Sequence, residues 1–194
     1  LLALVNKNPE DAELTYTLAS NYLAMGFEPK AITWYEKAVL VDASKSKWFF
    51  ELGLLYSNTN NYKKAVIAYN KAAELGFIKG NDFNENLGFA YIYSSDFDNG
   101  ARLLDDLISR RPGDKELIRD IATAFYDSRN YDKSLDYCQK LLEMDMKDGK
   151  ALYQAGLCFQ KKGMTEKGMQ MCDKAIEMDP SLASLRSKKS LPGM

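Results

Sequence analysis

Small, aliphatic and aromatic side chains recur along this chain at spacings of three and four residues, the spacing that gathers side chains on one face of an α-helix. Five segments carry the same pattern. They start at residues 12, 46, 81, 115 and 149, so the offsets are 34, 35, 34 and 34. Counting positions from each start, position 8 reads Ala19, Gly53, Gly88, Ala122 and Gly156, and position 11 reads Tyr22, Tyr56, Tyr91, Phe125 and Phe159. Position 20 reads Ala31, Ala65, Gly100, Ser134 and Gly168, and position 27 reads Ala38, Ala72, Leu107, Leu141 and Ala175. Aromatic residues make up 12% of the chain, so a column of five is not an accident of composition.

The columns predict two helices per segment. Positions 4, 7, 8 and 11 form the inward face of the first, and positions 20, 21, 24, 27 and 28 that of the second. Small residues at positions 8 and 20 let the two backbones approach where the helices cross, and the aromatic at position 11 fills the space beyond. A turn is predicted near positions 14 to 17, where Gly26, Asn60 and Gly163 suit a left-handed helix stop. Breaks at Asn8-Pro9, Asp42-Ala43, Arg111-Pro112 and Asp179-Pro180 end the second helices, with proline as the stopping residue.

The Leu-Gly-x-x-Tyr runs at Leu52-Gly53-Tyr56 and Leu87-Gly88-Tyr91, with Ala31-Tyr35-Ala38 and Ala65-Tyr69-Ala72 on the second helices, resemble the tetratricopeptide repeat family. The resemblance implies an all-α fold, a right-handed superhelical solenoid of antiparallel helix pairs, with repeats at 12–45, 46–80, 81–114, 115–148 and 149–182. Residues 1–9 read as the remnant of a preceding repeat's second helix, with Leu1 and Leu4 on its apolar face and with further chain expected upstream. Residues 183–194 read as a short capping segment and a solvated tail, Leu182 and Leu185 closing the array and Lys188-Lys189 and Pro192-Gly193 lying beyond it. Thr15 and Asn84 stand where the family has an aromatic at position 4, so looser packing is expected there. The extra residue between the second and third repeats falls in Leu75–Gly80.

Composition narrows the chemistry. Lys plus Arg number 26 and Asp plus Glu 27, a net charge of −1, so there is no overall positive charge for a nucleic-acid backbone. An RNA-binding helical repeat of the pentatricopeptide type is the alternative that this balance disfavours. The chain has no histidine, which removes Ser-His-Asp and Cys-His nucleophile pairs and imidazole metal ligands. Asp105 and Asp106 are adjacent, about 100° apart around a helix, and so do not share a site. No phosphate-binding glycine loop and no nucleophile elbow occur. No apolar run is long enough to insert in a membrane. Cys138, Cys158 and Cys172 are odd in number, which favours buried reduced thiols and a cytoplasmic setting, a periplasmic or anchored one depending on sequence upstream. Seven of the eight methionines lie from Met144 onward and read as filler of irregular core gaps rather than soft metal ligands. No enzymatic activity, cofactor or metal is expected.

By resemblance to the family, positions 2, 5, 9, 12 and 13 of the first helices line a concave groove for a peptide or partner protein. The candidate contact residues are Tyr16, Phe50, Asp82, Glu85, Phe89, Tyr93, Arg119, Tyr126, Lys150 and Tyr153. Family members that clamp the C-terminal carboxylate of chaperones carry Lys, Asn, Asn, Lys and Arg where this chain has Tyr16, Ser20, Glu51, Asp82 and Asn86, so that ligand is excluded. The expected role is a non-catalytic scaffold or adaptor. The alternatives are a regulatory module of a larger enzyme or sensor, and self-association through the solenoid ends.

Overall fold

The computed structural model describes residues 1–187, and among them the regular structure is helical throughout. The helices are α1 (Leu2–Lys7), α2 (Ala12–Ala24), α3 (Glu28–Val41), α4 (Ser46–Asn58), α5 (Tyr62–Glu74), α6 (Asn81–Tyr93), α7 (Phe97–Arg110), α8 (Lys115–Asp127), α9 (Tyr131–Met144), α10 (Gly149–Lys161), α11 (Thr165–Met178) and α12 (Ala183–Ser187). A 3-10 turn at Pro180–Leu182 leads into α12. The residues divide into two compact units, Leu1–Leu104 and a second from Asp105 onward. Lys188-Lys189 and Pro192-Gly193 lie outside the described residues.

Local chemistry sets the helix ends. The carboxylates of Asp11, Asp114 and Asp148 and the side-chain oxygen of Asn130 cap helix N-termini, each accepting a hydrogen bond from the backbone N–H three residues on. Each first helix ends on a residue with positive φ at position 15: Gly26 (76°), Asn60 (59°), Ser95 (72°), Arg129 (62°) and Gly163 (85°). The next N–H then donates back to the carbonyl of the position 11 aromatic, as in Phe27 to Tyr22 and Asn130 to Phe125, both 2.9 Å.

The helix α7 ends at Arg110, just ahead of Pro112, as expected, but three other second helices end on an aspartate. Asp42, Asp145 and Asp179 adopt extended backbone with φ of −131°, −154° and −136°. Their carboxylates accept the N–H two residues on, from Ser44, Lys147 and Ser181. Proline follows only Asp179, so the aspartate turn rather than proline ends these helices.

In the first unit, α2 packs on α3 and α4 on α5 around a core of Ala19, Ala31, Tyr35, Leu52, Ala65, Tyr69 and Leu87. Gly53 lies under the Tyr69 ring, where an added β-carbon would stand 2.6 Å from Cδ1. Thr15 is buried and its hydroxyl donates to the Asp11 carbonyl, so the missing aromatic leaves a satisfied position rather than a loose one. Position 3 is inward as well, through Trp48 and Phe83, which the spacing did not single out. In α1 the buried residue is Val5, whereas Leu1 and Leu4 are exposed; the helix turns its inward face one position later than expected.

In the second unit, α8 pairs with α9 and α10 with α11. Ser134 is fully buried at its crossing, and its hydroxyl donates to the Ala122 carbonyl at 2.7 Å, which removes the cost of burying it. Leu182 is buried against the end of α10 and α11, while Leu185 is 44% exposed, so one of the two expected closing residues is inside. The methionines are a correction. Met144, Met146, Met164, Met169 and Met178 are exposed, because they fall on outer faces and helix ends rather than in core gaps; Met194 lies outside the described residues.

Candidate functional site

On the first-helix side of the first unit, the candidates are tied into aromatic and carboxylate contacts. Tyr16 on α2 stacks on Trp48 of α4 with ring centres 4.7 Å apart. The hydroxyls of Tyr16 and Tyr35 donate to Glu51 Oε1 and Oε2 at 3.3 and 3.0 Å, and Lys47 lies 3.6 Å from the same carboxylate. Burial raises both phenols above their ordinary value, and the Glu51 charge adds to it. Phe50 is half-buried: it stacks on Phe77 at 4.5 Å and lies 5.8 Å from Phe83. Phe77 comes from the loop that carries the additional residue, so that insertion lays a ring over a candidate contact.

Along α6, Asp82 is exposed in the first turn, where its charge suits the helix N-terminus. Glu85, Phe89 and Tyr93 are half-buried, and Tyr93 stacks on Tyr62 at 4.7 Å. Ile92, which the spacing placed toward the groove, is fully buried.

In the second unit the structure brings Arg119, Lys150 and Tyr153 to one pocket of about 180 Å³. Arg119 comes from α8, and Lys150, Tyr153 and Gln154 from α10; the floor includes Cys138 and Leu141, and Leu182 and Leu185 complete the wall. Tyr153 is only 5% exposed and belongs to the local core, so it forms a wall rather than an open contact. Arg119 Nη1 and Nη2 donate to Asp148 at 3.3 to 3.4 Å, and Nη2 lies 3.6 Å from Glu116. Asp148 is the cap of α10, so this pair joins the start of α10 to the middle of α8. Tyr126 is half-buried, edge-on to Tyr131 at 5.5 Å, and burial raises its phenol.

Sequence reasoning missed several participants. Gln154 sits one position past a groove column and so was not singled out. Trp48 was not singled out and Phe77 falls in the loop Leu75–Gly80, and nothing in the spacing shows that they cover Tyr16 and Phe50. A cleft of about 780 Å³ between α3 and α5 also went unforeseen. Leu40 and Ile67 stand exposed along it, between the Glu36–Lys64 and Lys71–Glu74 ion pairs.

The thiols of Cys138 and Cys158 are poor nucleophiles. All three cysteines are buried, and none is in a disulfide. Burial pushes the Cys138 thiol up to about 12 and raises Cys158 as well, which keeps both protonated at neutral pH. Among the described residues no three Cys, Asp or Glu side chains come together as metal ligands, and no helix is long and apolar enough to cross a membrane.

Two tetratricopeptide repeat models match this chain, one over residues 86–149 and the other over 49–75 and 149–182. The chain belongs to the tetratricopeptide repeat family. Similar solved structures include YrrB, described as a tetratricopeptide repeat protein with an unusual peptide-binding site. It is 24% identical, with a TM-score of 0.61 over 97% of each chain. MamA from Desulfovibrio magneticus is 16% identical, with a TM-score of 0.62 over 88% of this chain and 96% of that one. Both are similar in fold alone. The human protein O-mannosyl-transferase TMTC1 is 28% identical over 133 residues, which is 68% of this chain and 15% of the transferase. This tetratricopeptide repeat chain therefore spans a small part of that relative.

Proposed function

We propose that this chain is a non-catalytic scaffold that holds a peptide or partner protein along the faces of its first helices. The observation that carries the reading is the pocket between α8 and α10, where Arg119, Lys150 and Tyr153, three residues chosen from groove columns, meet at one opening. Half-buried Phe89 and Tyr126 on α6 and α8 add aromatic surface of the kind that anchors partners. The similarity to YrrB, whose described property is a peptide-binding site, supports the same reading.

The test is an affinity pull-down read by mass spectrometry. It compares the unaltered chain, a Phe89→Ala/Tyr126→Ala variant and a Leu40→Ser/Ile67→Ser variant, each confirmed folded by circular dichroism. Partners lost only from the first variant are the expected result. Partners lost only from the second would move binding to the α3–α5 cleft and overturn the reading.

A second reading is favoured by the human relative: the array as one module of a longer enzyme or sensor. Reading the gene on both sides of this segment tests it. A fused catalytic domain supports it, and an open reading frame holding only helical repeats rejects it.

A further inference from the structure

The repeat supplies an internal comparison for the cleft between α3 and α5. Leu40 is position 29 of its segment, where the other four have Glu74, Ser109, Glu143 and Glu177. Ile67 is position 22, where the others have Thr33, Arg102, Asp136 and Gln170. The helix pairs therefore form with polar residues at both places. The two aliphatic exceptions fall on neighbouring repeats and line one cleft of about 780 Å³, with Leu40 82% and Ile67 69% exposed. Single aliphatic residues scattered on a surface are ordinary. Two that line one cleft with Val39, Phe49 and Leu52 form a patch, and a patch marks an interaction surface. The apolar face continues toward α1, where Leu40 borders a hollow of about 410 Å³ with Val5, Trp34 and Val41.

Charge and shape choose the occupant. The charged residues lining the cleft are Glu36, Lys64, Lys71 and Glu74, two of each sign. They pair as Lys64–Glu36 at 2.9 Å and Lys71–Glu74 at 3.2 Å, one pair toward each end of α5. A strongly acidic or basic partner finds no net attraction here. The matching surface has projecting aliphatic side chains and one cation and one anion at each end. This patch is itself such a surface: Leu40 and Ile67 project, and the cleft beside them receives. A two-fold axis across the helices brings the Lys71–Glu74 end of a second copy over Glu36–Lys64. Each anion then meets a cation, which is the self-complementarity that an isologous contact needs. The net charge of −1 gives two copies little mutual repulsion. A small apolar ligand fits less well, because such sites enclose most of the ligand, whereas Leu40 and Ile67 stand in solvent.

We propose that the α3–α5 cleft is an isologous self-association surface, where Leu40 and Ile67 of one copy enter the cleft of a second. This goes beyond the scaffold reading and uses none of the candidate groove residues.

Sedimentation velocity of the intact chain, from micromolar to millimolar concentration, tests it. The expected result is a mass that rises from one chain to two. Leu40→Ser/Ile67→Ser, polar there as the other repeats are, is expected to keep its circular dichroism and to stay at the mass of one chain. Lys64→Glu is expected to weaken association several-fold, and Lys64→Glu/Glu74→Lys, which exchanges the charges, to recover most of it. No recovery would overturn the two-fold pairing of the ends. A chain that stays a monomer throughout would overturn the proposal. A dimer held at full strength by folded Leu40→Ser/Ile67→Ser would do the same, and would move self-association elsewhere, the solenoid ends included. A monomeric chain whose partner capture is lost with Leu40→Ser/Ile67→Ser would give the cleft to a different protein and overturn the second copy as its occupant. A dimer that needs Leu40 and Ile67, with partner capture lost only from Phe89→Ala/Tyr126→Ala, supports both this surface and the scaffold.

Discussion

Gly88 of α6 faces Leu104 of α7 so closely that a β-carbon on the glycine would stand 2.7 Å from Leu104 Cγ. Leu104 is fully buried and cannot swing out to solvent. Position 8 is therefore small because position 24 of the partner helix occupies its space. Gly88→Leu is expected to force the two helices apart and to cost about 1–3 kcal/mol or more by overpacking. Chemical denaturation measures it. An unchanged midpoint would show that α6 and α7 do not cross at this residue.

Arg129 ends α8 with φ of 62°, in the place that Gly26 and Gly163 fill in other helix pairs. A β-carbon in the left-handed region is strained by roughly 1–2 kcal/mol, and glycine returns part of that gain as unfolded-chain entropy. Arg129→Gly is expected to stabilise the second unit by about 0.5–1 kcal/mol. Ser95→Gly should do the same for the first, since Ser95 has φ of 72°. The reverse change, Gly163→Ala, should lower the melting temperature. Thermal unfolding of the three variants reads all three signs.

The crossings were legible because each column answers a demand inside one helix pair: Gly88 needs Leu104, and the carbonyl of the position 11 aromatic receives the turn that follows it. The contact surface was less legible, for a reason of scale. Neighbouring positions on a helix point about 100° apart, so an offset of one residue separates exposed Lys150 from buried Ala151. Covering is also decided by distant chain. Phe50 is half-buried because Phe77 arrives from a loop, and Tyr16 because Trp48 stacks on it; neither contact has a periodic signal. Aspartate turns end α3, α9 and α11, whereas proline stands just beyond α7 and α11, so residue type alone did not show that a carboxylate closes three of these helices.

Tyr35, Tyr56 and Tyr137 each donate a hydrogen bond to a carboxylate, on Glu51, Glu36 and Asp105 respectively. Burial is the main cause that raises all three phenols, and the carboxylates raise them further. A folded value above the unfolded one of about 10 means that this contribution to stability is complete below pH 10. Above pH 10 the unfolded chain releases these protons first, so stability falls as pH rises. Phenolate absorbance is expected to show that these three of the twelve tyrosines titrate only with loss of helix. Tyr56→Phe should move that loss to higher pH; titration of all twelve before any change in circular dichroism would contradict the assignment.

Asp148 has two tasks where Asp11 has one. Both cap a helix, accepting from Ala151 and Leu14 at 2.9 Å. The side chain of Asp148 is also 8% exposed and faces the guanidinium of Arg119. Asp11→Ala removes an exposed cap and should cost about 1 kcal/mol. Asp148→Ala removes a cap and leaves Arg119 partly buried without its main counter-charge, which adds roughly 1–3 kcal/mol. The expected order is a loss at Asp148 two to three times that at Asp11. In an Arg119→Met background the Asp148→Ala cost should fall toward that of the cap alone, because the cation that needed the carboxylate is gone. Denaturation midpoints of the four chains in that cycle measure the coupling. An Asp148→Ala cost that is the same in both backgrounds would mean that the pair only lies together at the surface and does not hold α8 against the start of α10.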